Sequence, residues 1–210
     1  MNTPHRSGLK RTATGGALAA TIMAGSMCGV ALGEVRSSTQ VQTYSVGGTT
    51  AASLVSYMRS NPFHGSKGDA VANIRPNYGL NVSSQQSGSV CRASRVTLNI
   101  RFVMTLPQAR SVAGMASSTL SAWNSFVAFT KRHEETHKSI YIKCGNDFVA
   151  KAERLTAATC DALEAAVRRL FETEKAVCES RQRAFDRTDY KRVGGLALFA
   201  MARGSSRASR

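Results

Sequence analysis

The clearest pattern in the chain is a strict alternation over residues 95–106. Val96, Leu98, Ile100, Phe102, Met104 and Leu106 interleave with Arg95, Thr97, Asn99, Arg101, Val103 and Thr105. Period two means a strand with one face in a core and one wetter face, and Pro107 is expected to end it. Upstream, 41–46 reads as another strand, and Gly47-Gly48 turns the chain. A short helix capped by Thr49 or Thr50 is expected to run to about Ser60, with Leu54, Val55 and Met58 inward and Asn61-Pro62 as its stop. The Gly-, Ser- and Asn-rich stretch 64–90 is expected to hold short strands near 70–74 and 78–83. The period then changes to that of a helix. A long helix is expected from Ser117 or Ser118 to about Leu155, a break over 156–159, and a second helix over about 161–186. The fold class is therefore α+β: a small antiparallel sheet with a short helix, packed on a long two-helix hairpin.

One stripe of the first long helix carries unusual chemistry. Positions 126, 130, 133, 137, 140, 144 and 148 keep helical spacing and are mostly apolar, yet 133 and 137 are histidines. Residues 133–137 read His-Glu-Glu-Thr-His. Histidines four apart point the same way from adjacent turns, so both imidazoles can bind one Zn²⁺. Glu134 is then placed to take a proton from a zinc-bound water, whose pKa the metal lowers. A solvated polar turn is the plain alternative. The apolar flanks Trp123, Phe126, Phe129, Tyr141 and Phe148 argue against it, because inward-facing imidazoles need partners. His133 and His137 are thus candidate zinc ligands and Glu134 the candidate general base.

A catalytic zinc takes a third protein ligand. His64 lies in a loop and is expected to be a surface residue. If the two long helices form an antiparallel hairpin turning near Ala158, position 135 lies opposite about 181. Glu179, Asp186 and Asp189 then fall within about two turns of the motif. Asp186 is the candidate third ligand, against the alternative of a surface acid paired with an arginine. Tyr190 and Lys191, close by, are candidates to stabilise an oxyanion.

Charge and cysteines place the chain. Arg6, Lys10 and Arg11 precede an uncharged stretch over 12–33 that ends Ala31-Leu32-Gly33, so residues 1–33 read as a signal peptide. Residues 34–190 are expected to form one domain and 191–210 a basic, flexible tail. The chain has 28 basic and 13 acidic residues. Without the three leader cations, 25 remain against 13, a net charge of +12. Such a balance favours an anionic cell-envelope surface. No nucleic-acid-binding motif is present, and no nucleic-acid partner is expected. After cleavage no segment is expected to span a membrane. Four cysteines remain, at 91, 144, 160 and 178. An even count in an exported chain implies disulfides, and the three possible pairings stay open on spacing alone.

These pieces together resemble a bacterial family of predicted secreted zinc-dependent proteases, long catalogued as a domain of unknown function. The resemblance spans about 40–192. It rests on Thr43-Tyr44-Ser45-Val46-Gly47-Gly48-Thr49, on Cys91 ahead of the strand ending Thr105-Leu106-Pro107, on Trp123, on His133–His137, and on Cys160 opening the second helix. The family's late element reads Tyr-Asp-x-x-Thr-x-His-Gly. Here the stretch is Phe185-Asp186-Arg187-Thr188-Asp189-Tyr190-Lys191-Arg192, keeping the aspartate but placing Lys191 where the histidine stands. The resemblance implies a Cys91–Cys160 pair, which leaves Cys144 with Cys178. It also implies a periplasmic or secreted zinc metallopeptidase acting on peptides or proteins. A non-catalytic envelope-binding protein that keeps the fold is the alternative.

Overall fold

Alternating and helical periods separate in space into a sheet and a helical hairpin laid on one of its faces. The structure is a computed structural model and describes residues 33–65 and 68–208. The expected leader, apart from Gly33, lies outside the described residues. Strand β1 covers Glu34–Val46, helix α1 Ala51–Ser60, strands β2 Phe63–Gly65 and β3 Gly68–Ala70, β4 Asn73–Ser87 and β5 Val90–Ala109. Helix α2 spans Ser117–Ala152, β6 Thr156–Ala157, α3 Cys160–Val193 and α4 Ala197–Ala208. Among the described residues no helix is long and apolar enough to cross a membrane.

The sheet is built around β5. It pairs antiparallel with β4 and β6 and, on its other side, parallel with β1, which runs Glu34 opposite Thr97 to Val46 opposite Ala109. The alternation over 96–106 becomes a buried row, with Val96, Leu98, Ile100, Phe102, Met104 and Leu106 all in the core. Pro107 does not end the strand. Pairing with β4 stops at Thr105, so beyond it β5 keeps only β1 as a neighbour, and a residue without an N–H fits where one edge is free. The short strands expected near 70–74 and 78–83 resolve into the β2–β3 hairpin and one long β4.

Helix α1 starts where expected. Thr50 accepts from the Ser53 backbone N–H, and the Ser53 hydroxyl returns to the Thr50 N–H, which satisfies two donors the helix start would leave open. Helices α2 and α3 form the antiparallel hairpin. Its turn is pinned to the sheet by β6 and by the Cys91–Cys160 disulfide, and its arms are joined by Cys144–Cys178. Gly145 lets α2 lie close on the sheet. A Cβ there would come within 3.1–3.4 Å of Leu98, Val35 and Ile100.

The chain from Lys191 departs from expectation. Helix α3 continues to Val193, and Ala197–Ala208 forms α4, packed through its first turns rather than forming a flexible tail. Leu198 is fully buried in a second core cluster with Leu54, Val55, Met58, Trp123 and Phe126. Burying a leucine side chain contributes about 1.5–3 kcal/mol, enough to hold a short helix that could not stand alone. The main cluster, around β5, takes Tyr141, Cys144, Phe148 and Val149 from α2. The histidine motif lies on α2 between the stretches that feed these two clusters.

Candidate metal centre

The helical stripe holds. Phe126, Thr130, His137, Cys144 and Phe148 are buried, and His133 and Ile140 are half-buried. One turn apart on α2, the two imidazoles face α3, which brings Asp186 to them. His137 Nε2 lies 3.0 Å from His133 Nε2 and 2.8 Å from Asp186 Oδ1, and His133 Nε2 lies 3.4 Å from that same oxygen. The three donor atoms thus form a triangle of nearly equal edges. A tetrahedral zinc with bonds of ~2.0–2.1 Å separates its ligand atoms by ~3.3 Å. Histidines 133 and 137 with Asp186 form a group that could hold a metal ion.

The proton positions follow from the outer partners. Gln182, fully buried, aims its Nε2 at the His137 backbone carbonyl at 3.1 Å. A carbonyl only accepts, so this end of the amide is the NH₂. Its oxygen then faces His137 Nδ1 at 2.5 Å, and Nδ1 carries the proton. His133 Nδ1 lies 2.8 Å from Asp189 Oδ2. Burial pushes the Asp189 carboxyl up, but hydrogen bonds from His133 and Arg192 outweigh it and hold the pKa below the usual value. Asp189 is therefore an ionised acceptor and His133 Nδ1 a donor. Burial also lowers the His137 pKa, against the hydrogen bond to Gln182 and the charge of Asp186. With both Nδ1 atoms protonated, both Nε2 atoms present lone pairs to each other and to a carboxylate oxygen. Three acceptors this close call for a metal ion or one added proton among them. This outer arrangement fixes the tautomer a metal needs.

Glu134 lies beside this cluster, toward the start of β4. It is buried, 4% exposed. Burial first, then the charge of Asp186, push its pKa up to about 8, against a lowering hydrogen bond from the Ile74 backbone. Its carboxyl opens with the two histidines and Asp186 into a cavity of about 570 Å³. The floor is α2, from Phe129 to Tyr141. One wall is Gly65 and Gly68–Ile74, and the other is α3 from Asp186 to Val193. Tyr44 donates to the Val71 carbonyl at 2.9 Å and stacks on Phe63 at 5.0 Å, tying the β2–β3 wall to β1.

Of the three acids within reach of the motif on the hairpin geometry, Asp186 joins the histidines, Asp189 supports His133 from behind, and Glu179 accepts from the Tyr141 hydroxyl at 2.9 Å. Tyr190 and Lys191 line the cavity wall, with Tyr190 three-quarters exposed. His64 is on the surface and pairs with Asp69 at 2.8 Å. Gln182 escaped sequence reasoning. Its signal was position, since 178, 182, 186 and 189 repeat every three or four residues along the face of α3 that meets α2.

The family described as a bacterial protein of unknown function (DUF922) matches residues 41–194. Nothing matches among the curated proteins or the solved structures.

Proposed function

We propose, from the premise that the chain belongs to the DUF922 family of bacterial proteins of unknown function, that it is an exported zinc-dependent peptidase. The observation that carries this reading is the convergence of three acceptor atoms, two with their tautomers fixed from behind, beside a buried carboxyl in one cavity. His133, His137 and Asp186 are assigned to the metal and Glu134 to proton transfer. Two imidazoles and a carboxylate leave one position of a tetrahedral site open to water or substrate, as a catalytic zinc requires. Bound there, zinc supplies Lewis acidity, lowering the pKa of water and polarising a carbonyl.

Glu134 takes the proton of the attacking water on a carboxylate oxygen and passes it to the leaving amine. Its environment suits the second half of that task, because burial favours the protonated form. Gln182 and Asp189 keep the two imidazoles oriented, and the apolar parts of the cavity limit water around the reacting groups. Export to the periplasm or beyond is part of the proposal. It is supported by the leader-like residues 1–33 and by two disulfides, which persist in oxidising compartments.

The test joins metal analysis to hydrolysis. Purified protein is expected to hold about one zinc per chain, and the double variant His133→Ala, His137→Ala none. A mixed peptide library incubated with zinc-loaded protein is expected to be cleaved by the wild type and not by Glu134→Gln. One equivalent of iron in place of zinc would overturn the metal assignment, since this ligand set also suits ferrous iron. Zinc bound without cleavage by either protein would favour a non-catalytic binding protein.

A further inference from the structure

The α3 wall of the cavity differs in charge from its floor. Arg187 and Lys191 stand four residues apart, so their side chains leave the helix in one direction, about 6 Å apart at Cβ. Both line the cavity. Neither has an ion-pair or hydrogen-bond partner among the described residues. Two other arginines of the helix are engaged: Arg192 holds Asp189 at 2.9 Å and Arg181 holds Asp147 at 2.9 Å. On the facing wall the exposed carboxylate, Asp69, is joined to His64. The cavity therefore offers a pair of free cations to whatever occupies it, with apolar surface from Phe129, Ile74 and Val193 between.

Resting on the peptidase reading above, we infer that the site takes acidic peptides, with Arg187 and Lys191 binding a substrate carboxylate. The placement sets the reach. Arg187 follows Asp186 directly, and Lys191 lies ~7.5 Å along the helix axis from Asp186. An extended peptide advances ~3.4 Å per residue, so the carboxylate belongs within about two residues of the bond held at the cluster. Guanidinium and ammonium groups side by side suit a carboxylate, one giving a planar pair of donors and the other a mobile point charge. The carboxylate can come from an Asp or Glu side chain or from the peptide C-terminus.

The experiment uses zinc-loaded full-length Glu134→Gln, to prevent turnover, and calorimetric titration with matched peptides. Each sequence is made with Asp or Glu and with Asn or Gln at one position, and with a free or amidated C-terminus. Acid forms are expected to bind about ten- to hundredfold tighter than amide forms, the scale of one or two charged hydrogen bonds. Arg187→Gln with Lys191→Gln, both exposed, is expected to abolish that ratio. Arg95→Gln with Arg101→Gln removes the same charge from the exposed face of β5 and is expected to leave the ratio intact. Which arm shows the effect, side chain or terminus, identifies the source. Equal binding of acid and amide forms overturns the inference, as does absence of any binding. So does a preference that survives the first double variant, or one that the second abolishes equally. Wild-type cleavage is scored in parallel. An acid preference without cleavage sinks the peptidase reading alone, and cleavage without an acid preference sinks this inference alone.

Discussion

Gln182 Oε1 lies 2.5 Å from His137 Nδ1, while the same amide donates to the carbonyl of His137. One side chain of α3 thus grips both ends of one residue of α2. Replacing it by alanine leaves the His137 ring N–H without its acceptor, at about 1–3 kcal/mol, and strips the His137 carbonyl of its second donor, since that carbonyl also lies within the hydrogen-bonded turns of α2. Gln182→Ala is expected to melt earlier and to bind zinc about 10–100-fold more weakly. Thermal melting and a competitive chelator titration check the two effects.

Glu134 makes the stability of the metal-free protein depend on pH. Its pKa rises from the usual 4.5 to about 8 in the folded chain, so the fold holds this proton more tightly than the unfolded chain does. The stabilisation is complete below pH 4.5 and is lost as pH climbs through about 8. His137 acts in the opposite sense, because burial lowers its pKa and its cost appears as pH falls below 6.5. Comparison with Glu134→Gln isolates the carboxyl. The wild type is expected to lose on the order of 2–4 kcal/mol relative to the variant between pH 4.5 and 8. Saturating zinc is expected to narrow that difference, since a nearby cation holds the carboxylate ionised. Denaturant titrations at both ends of the range measure it.

Asp186 separates coordination from packing. Its side chain is 40% exposed, and Asp186→Asn keeps its shape. The variant is expected to fold with a melting temperature near that of the metal-free wild type and to lose zinc stoichiometry on dialysis. Retention of one tightly held zinc would remove Asp186 from the ligand set.

The two disulfides are expected to part in their effects. Closing loops with sequence separations of 69 and 34, each stabilises by about 2–5 kcal/mol. Cys144→Ser with Cys178→Ser also frees the two arms that carry the metal ligands, so it is expected to weaken zinc binding as well as stability. Cys91→Ser with Cys160→Ser is expected to affect stability alone. Melting curves with and without zinc distinguish the pairs.

Leu198 tests the C-terminal helix. Fully buried, it is expected to cost about 2–5 kcal/mol when changed to alanine. An unchanged denaturation midpoint would return the segment to the flexible tail that its composition suggests.

That segment also marks where sequence reasoning stops. Leu196–Met201 is a short apolar run between a Gly-Gly pair and an Arg- and Ser-rich end, and nothing local says that it folds back on α1. Its partners, Leu54 and Phe126, lie far away in the chain, and only tertiary packing reveals them. The parallel pairing of β1 with β5 is hidden for the same reason: alternation identifies a strand but not its neighbour. The hairpin was legible because two long helices joined by a short break must run back along each other, and equal lengths fix the register. That register brings Asp186 and Asp189 to the motif. Gln182 was not legible, because an uncharged amide on a helix face looks like solvated surface until the opposite carbonyl is seen.

The Cys144–Cys178 bridge fastens the two arms of the hairpin about two turns from His137. A cation held by His133, His137 and Asp186 would be a second rivet, further from the turn. The first is permanent once oxidised, whereas the second comes and goes with ion supply. Chelation should therefore slacken the clasp midway, between its shut base and the packed cluster at its far end, rather than denature the chain.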